Sequence, residues 1–317
     1  MSRLRILVAA LAVAVSVPVA VAGCGSSSST NNEDPNQVLK ETFNNPTKIT
    51  SGNLTIDLGG SAEGTQSGSL NASISGPFQS DSSNPDAFPQ FDLTAKVSAS
   101  GAGQSFNFDG GLVTTTDNAY VEYQGQAYEV GTALFKRFQQ SYQQAQNQAQ
   151  AQGQQNSSTF LDQFGIDPST WLTNVSNEGT TDVEGTSTIH IHGDADVPKI
   201  LSDVRKIAKE TGGSTQSLTP SRLDQVQSAI KTASIDVYSG ESDKLLRKLA
   251  LTLTIEPPAS TSSGVSSVNV NFSVSLGSVN EPQTITAPSN PKPIKDLLQQ
   301  FGGGGLAPLL GGGLQSG

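Results

Sequence analysis

The chain is 317 residues long, with 28 acidic against 18 basic residues and a pI near 4.6. A net charge of −10 weighs against nucleic acid as a partner and against electrostatic docking on anionic lipid, because both need a basic surface. One cysteine and two histidines exclude an intramolecular disulfide and leave little for nucleophilic, redox or metal chemistry.

The amino terminus has three parts. Arg3 and Arg5 make a basic start, Ile6 to Ala22 is an apolar run broken by Ser16 and Pro18, and Gly23 precedes Cys24. That order describes an export signal, and the run falls short of the about 20 apolar residues a spanning helix needs. Val21-Ala22-Gly23-Cys24 resembles the lipobox of bacterial lipoproteins, which implies cleavage between Gly23 and Cys24 and diacylation of the Cys24 sulfur. An anchor explains a lone exported thiol, and stable anchoring takes two acyl chains. Residues 24–36 are rich in Ser and Asn, with no aliphatic or aromatic side chain, and are expected to form a flexible tether. Removing residues 1–23 takes away two arginines and no acid, leaving 16 basic against 28 acidic residues. Membrane contact must then come from the acyl chains.

Val38 to Phe43 reads as a short helix stopped by Asn44-Asn45-Pro46. Strict alternation follows: Leu54, Ile56 and Leu58; Leu70, Ala72 and Ile74; Phe91, Leu93, Ala95, Val97 and Ala99; then Phe106 and Phe108. Period two with polar residues between predicts half-buried antiparallel strands. Tyr120 to Tyr128 reads as two short strands around Gln124-Gly125-Gln126. From Thr132 the spacing of Leu134, Phe135, Phe138, Tyr142, Ala145 and Ala149 predicts an amphipathic helix whose other face is mostly glutamine. Asp167-Pro168 predicts a capped helix start, carrying the single tryptophan, Trp171.

A second half repeats the plan. Paired strands are expected over 179–184 and 186–193, and a helix over 196–210 with Val197, Ile200, Leu201, Val204 and Ile207 inward. Another helix is expected from Pro220 through Leu223, Val226 and Ile230. Strands through Ile235 and Val237, Leu249 to Ile255, and Val268 to Leu276 complete the sheet. A short helix with Ile294, Leu297, Leu298 and Phe301 precedes a Gly-rich tail. The pattern predicts an α+β fold: a single strongly curved antiparallel sheet, a half-barrel of about 11 strands, with helices on the concave face. The organisation is then an export signal over 1–23, a tether over 24–36, one domain over 37–301 and a disordered tail over 302–317.

Catalytic signatures are sparse. No G-x-S-x-G elbow and no phosphate-binding glycine loop occurs, so no enzyme activity and no cofactor are expected. His190, His192, Asp194 and Asp196 share strand parity, and imidazole with carboxylate suits Zn, Cu or Ni. Against this, Ile189 and Ile191 facing inward would leave the histidines on a wet face, Gly193 would end the strand, and Asp196 fits a helix N-cap. His190 and His192 therefore stand as weak metal candidates only.

The lipobox, the tether, the meander-helix-meander order and the segment Thr186 to Leu201, where a strand ending in glycine enters a helix, resemble LppX/LprAFG-type actinobacterial lipoproteins. Those in turn look like the LolA/LolB carriers. The resemblance implies a half-barrel with a hydrophobic cavity, hence a non-enzymatic carrier of lipids or lipidated molecules. The protein would be lipid-anchored on the outer surface of the cell membrane, monomeric, with a lipid or glycolipid ligand and an export machinery as a further partner. The implied lining is the strand-face set Leu54, Ile56, Leu70, Ile74, Leu93, Val97, Leu251, Leu253, Val270 and Phe272, with Phe106, Phe108, Trp171 and Leu172 at the rim or lid. A fully packed core serving as a surface scaffold, and a metal-binding lipoprotein, remain the alternatives.

Overall fold

The computed structural model describes residues 32–81, 87–151, 166–210, 227–257 and 264–300. The export signal, Gly23, Cys24, most of the tether and the Gly-rich tail lie outside them. The alternating segments become β1 (Ser51–Gly64), β2 (Gly68–Gln79), β3 (Gln90–Gly101), β4 (Gln104–Thr114), β5 (Ala119–Tyr123), β6 (Gln126–Glu129), β7 (Leu172–Val183), β8 (Thr186–Ala195), β9 (Ile230–Gly240), β10 (Leu246–Ile255), β11 (Val265–Gly277) and β12 (Lys292–Pro293). They form one open sheet in the order β12-β6-β5-β4-β3-β2-β1-β11-β10-β9-β8-β7. All neighbours are antiparallel except β12, which lies parallel to β6 over two residues.

The helices are α1 (Pro35–Phe43), α2 (Thr132–Ala151), α3 (Val197–Glu210) and α4 (Ile294–Gln300), with a 3₁₀ turn at Pro168–Trp171. The fold is thus α+β, a curved single sheet with few helices. In α1 the Asp34 carboxylate accepts from the Asn36 and Gln37 amides and Pro35 opens the helix, satisfying donors that a helix start leaves unpaired. This cap starts α1 three residues before the apolar pattern does. Val38, Leu39 and Phe43 then bury against Leu172, Ile189, Ile191, Ile235 and Val237. At the other end of the sheet, Phe135 of α2 packs with Ala119, Val130, Phe88 and Val121.

A strap joins the two halves. The Asn280 amide donates to the Ser51 carbonyl, its side chain accepts from the Thr50 amide, and the Gln283 amide donates to Gln79 Oε1. The chain then reaches β12 beside β6, having passed the ends of β1 to β5. In β2, a Cβ on Gly76 would come within 1.8 Å of the Asp92 carbonyl oxygen, so only glycine admits this close approach of β3.

Several expectations shift. The sheet has one strand more than expected, because β12 adds a short parallel edge. Strand β7 starts at Leu172 and β8 continues through Gly193 to Ala195, since Leu172 pairs with Ala195. Ile230 begins β9 rather than ending a helix. Val204 is 42% exposed, because α3 contacts chiefly the 3₁₀ turn among the described elements. The side chain of Ile207, residues 219–226, and Phe301 lie outside what is described.

Candidate functional site

Directly paired residues share a face of a sheet, so the register sorts every strand residue into one of two faces. One row across six strands reads Phe108, Val97, Ala72, Leu58, Phe272, Leu251. A second reads Ile74, Ile56, Val274, Leu249, Val237, Ile191, and a third reads Phe106, Ala99, Leu70, Gly60, Val270, Leu253. With Leu54 and Leu93 of the same parity, twelve of the fourteen residues expected to line a lipid site share this apolar face.

The face is covered unevenly. At the β7–β9 end, Ile189, Ile191 and Val237 are fully buried under α1. Over the centre, Leu58, Leu70, Ile74, Phe106, Phe108 and Leu112 are 36 to 58% exposed. Trp171 and Leu172 do not join that centre. Leu172 is buried in the core under α1, and the Trp171 indole donates to Asp203 at 2.9 Å. Burial alone would raise the Asp203 pKa, but its bonds from Lys199 and Trp171 hold it below the ordinary carboxylate value.

Away from Val113 and Tyr120, which are buried at the β4–β5 end, the opposite face is polar. One row reads Asp109, Lys96, Ser73, Asp57, Ser273, Ala250 and continues to Asp236 and His192. The next reads Asn107, Ser98, Asn71, Gly59, Asn271, Thr252. A hollow of about 970 Å³ is lined by both rows from β4 to β10. From the apolar face the same strands contribute chiefly the residues lying between the two rows, so the hollow sits over the polar face. A twisted sheet is saddle-shaped, and such a surface can be hollow along one diagonal on either side.

His190 and His192 lie on this polar face, as expected from the complete burial of Ile189 and Ile191. Nε2 of His190 and Nδ1 of His192 each meet the same oxygen of Asp236 at 2.8 Å. The His190 ring stacks on Tyr238, centroids 4.5 Å apart. The His190 bond holds the Asp236 carboxyl below its usual range; burial opposes this and the His192 bond adds to it. Burial and the nearby Asp236 charge push the Tyr238 hydroxyl pKa up. Asp194 instead accepts from Asn174, and Asp196 caps α3 through the Lys199 amide. Among the described residues no group of three or more His, Cys, Asp or Glu is arranged to hold a metal ion. The cluster is a hydrogen-bonded network, and its central member, Asp236, carries no local sequence signal linking it to the histidines.

An open single sheet with one apolar face, one polar face and helices at its ends defines the class of this domain. No family model matches the chain, and no curated protein matches its sequence. Among solved structures it is similar to LprF from Mycobacterium bovis, at 12% identity and a TM-score of 0.36, covering 80% of this chain and 96% of that one. It is also similar to the lipoprotein LppX of Mycobacterium tuberculosis, at 13% identity and a TM-score of 0.36, covering 80% of this chain and 98% of that one. No helix among the described residues is long and apolar enough to cross a membrane.

Proposed function

We propose that this chain is a lipoprotein, acylated at Cys24 and held on the outer surface of the cell membrane, that binds and carries lipids or lipidated molecules without chemical change. The observation that carries this reading is the central apolar face, where Leu58, Leu70, Ile74, Phe106, Phe108 and Leu112 remain 36 to 58% exposed. Soluble domains rarely leave a large contiguous apolar patch without a use for it. Acyl chains laid along the rows would gain ~0.8 kcal/mol per buried CH₂, enough over an ordinary chain to hold a lipid outside a bilayer. The acidic domain gives no electrostatic hold on anionic lipid, so its membrane address would depend on the Cys24 acyl groups.

The test is organic extraction of the purified protein followed by mass spectrometry, with uptake of a fluorescent fatty acid measured in parallel. Lipid is expected in the extract, and a Leu58→Arg, Ile74→Arg double variant is expected to lose uptake while keeping its melting transition. Recovery of no lipid together with no uptake by the unaltered protein would overturn the carrier. Cys24→Ala is expected to move the protein from the membrane fraction to the soluble one.

A further inference from the structure

We propose that the polar face of the sheet carries a second binding site, for a neutral, hydroxyl-rich ligand of the oligosaccharide class. The hollow over that face is long and narrow. Six strands at ~4.8 Å spacing span roughly 24 Å, whereas two same-face residues along a strand span only about 7 Å. Such a trough fits an extended, linear ligand.

Its chemistry fits polyols. The side-chain amides of Asn71 and Asn107, two strands apart, make no hydrogen bond to other described residues, and each offers one acceptor and two donors. Among the described residues the Asn271 side chain is met only by the Thr252 hydroxyl, which donates to Oδ1 at a long 3.4 Å. Gly59 and Ser98 keep the floor between the amides low, so the amides stand above it. Two acids, Asp57 and Asp109, face two lysines, Lys96 and Lys248, in the same lining. That local neutrality, in a chain of net charge −10, favours neither an anionic nor a cationic ligand. The two polar-face rows carry no large apolar side chain, while Phe106, Phe108 and Tyr123 border the hollow at its β4–β5 end and offer aromatic edges to sugar rings.

The two polar rows lie on the face opposite the proposed lipid surface; Leu58, Phe106 and Phe108 border both, whereas Ile74 does not line the hollow, so the two can be tested apart. Binding of maltoheptaose, mannohexaose and chitohexaose to the full chain in a zwitterionic detergent would be followed by calorimetry and by amide chemical shifts. At least one is expected to bind, with shifts clustered in β1 to β4. An Asn71→Ala, Asn107→Ala double variant is expected to weaken it about tenfold or more. Ser98→Trp, which fills the floor, is expected to abolish it with the fold intact by circular dichroism. Ile74→Arg, on the other face, is expected to leave sugar binding unchanged. Absence of binding by all three sugars overturns the proposal, as does binding that survives both polar-face variants or is lost in Ile74→Arg. Fatty acid uptake by the same variants reads the lipid surface independently.

Discussion

Ile74 and Ile191 belong to one cross-strand row of one face, yet Ile74 is 40% exposed and Ile191 is fully buried. The residues are the same in type and the strands are continuous; the difference is α1, which lies on the β7–β9 end and brings Val38, Leu39 and Phe43 to it. Alternation decides which way a side chain points. It does not decide whether anything meets that side chain.

The largest expected effect follows from that contrast. Ile191→Ala should cost about 2–5 kcal/mol, because it removes methyl groups from a packed core and leaves a cavity. Ile74→Ala should cost well under half as much. Urea titrations of both variants check this, and equal losses would mean that the centre of the sheet is as well covered as its end.

A smaller effect is expected at a buried polar contact of the covered end. Thr42 Oγ1 donates to the Val38 carbonyl and lies 2.7 Å from Ser239 Oγ, both side chains being buried. Thr42→Val keeps the shape but strands the Ser239 hydroxyl, at about 1–3 kcal/mol. Thr42→Val combined with Ser239→Ala should recover part of that loss, a double-mutant cycle read in the same titration.

The smallest effect concerns acid. Asp203 and Asp236 both sit at the β7–β9 end, and both titrate below the ordinary value of 3.8. A depressed folded pKa contributes stability that is complete above the unfolded value and is lost as pH falls through the folded one. Below about pH 4, amides of β8 and β9 should therefore lose hydrogen-exchange protection before those of β2 and β3. Asp236→Asn should flatten that dependence. An acid response that begins in β2 and β3 would contradict the placement of the sensitive carboxylates.

Much of the frame was legible from residue order. The strand alternation from Leu54 to Phe108, the Gln124-Gly125 turn, the Asp167-Pro168 cap and the Asp196 cap are local features, each set by a few neighbouring residues. The sharing of one face by Leu58, Ala72, Val97 and Phe272 follows from the same period. Less legible were Trp171 and Leu172, expected at a rim, because their roles depend on α1 and α3 arriving from distant parts of the chain. The same holds for Asp236, which meets His190 and His192 across sequence separations of 46 and 44 residues.

By itself the sequence determined the strands, their two-sided character, the helix caps and the acidic balance, since these depend on period, capping chemistry and charge within short windows. Only the tertiary structure decided which apolar rows are covered, which histidine partner closes the network and where the polar face is hollow. Those outcomes depend on strand order, sheet twist and helix placement, and each is a contact between residues far apart in the chain.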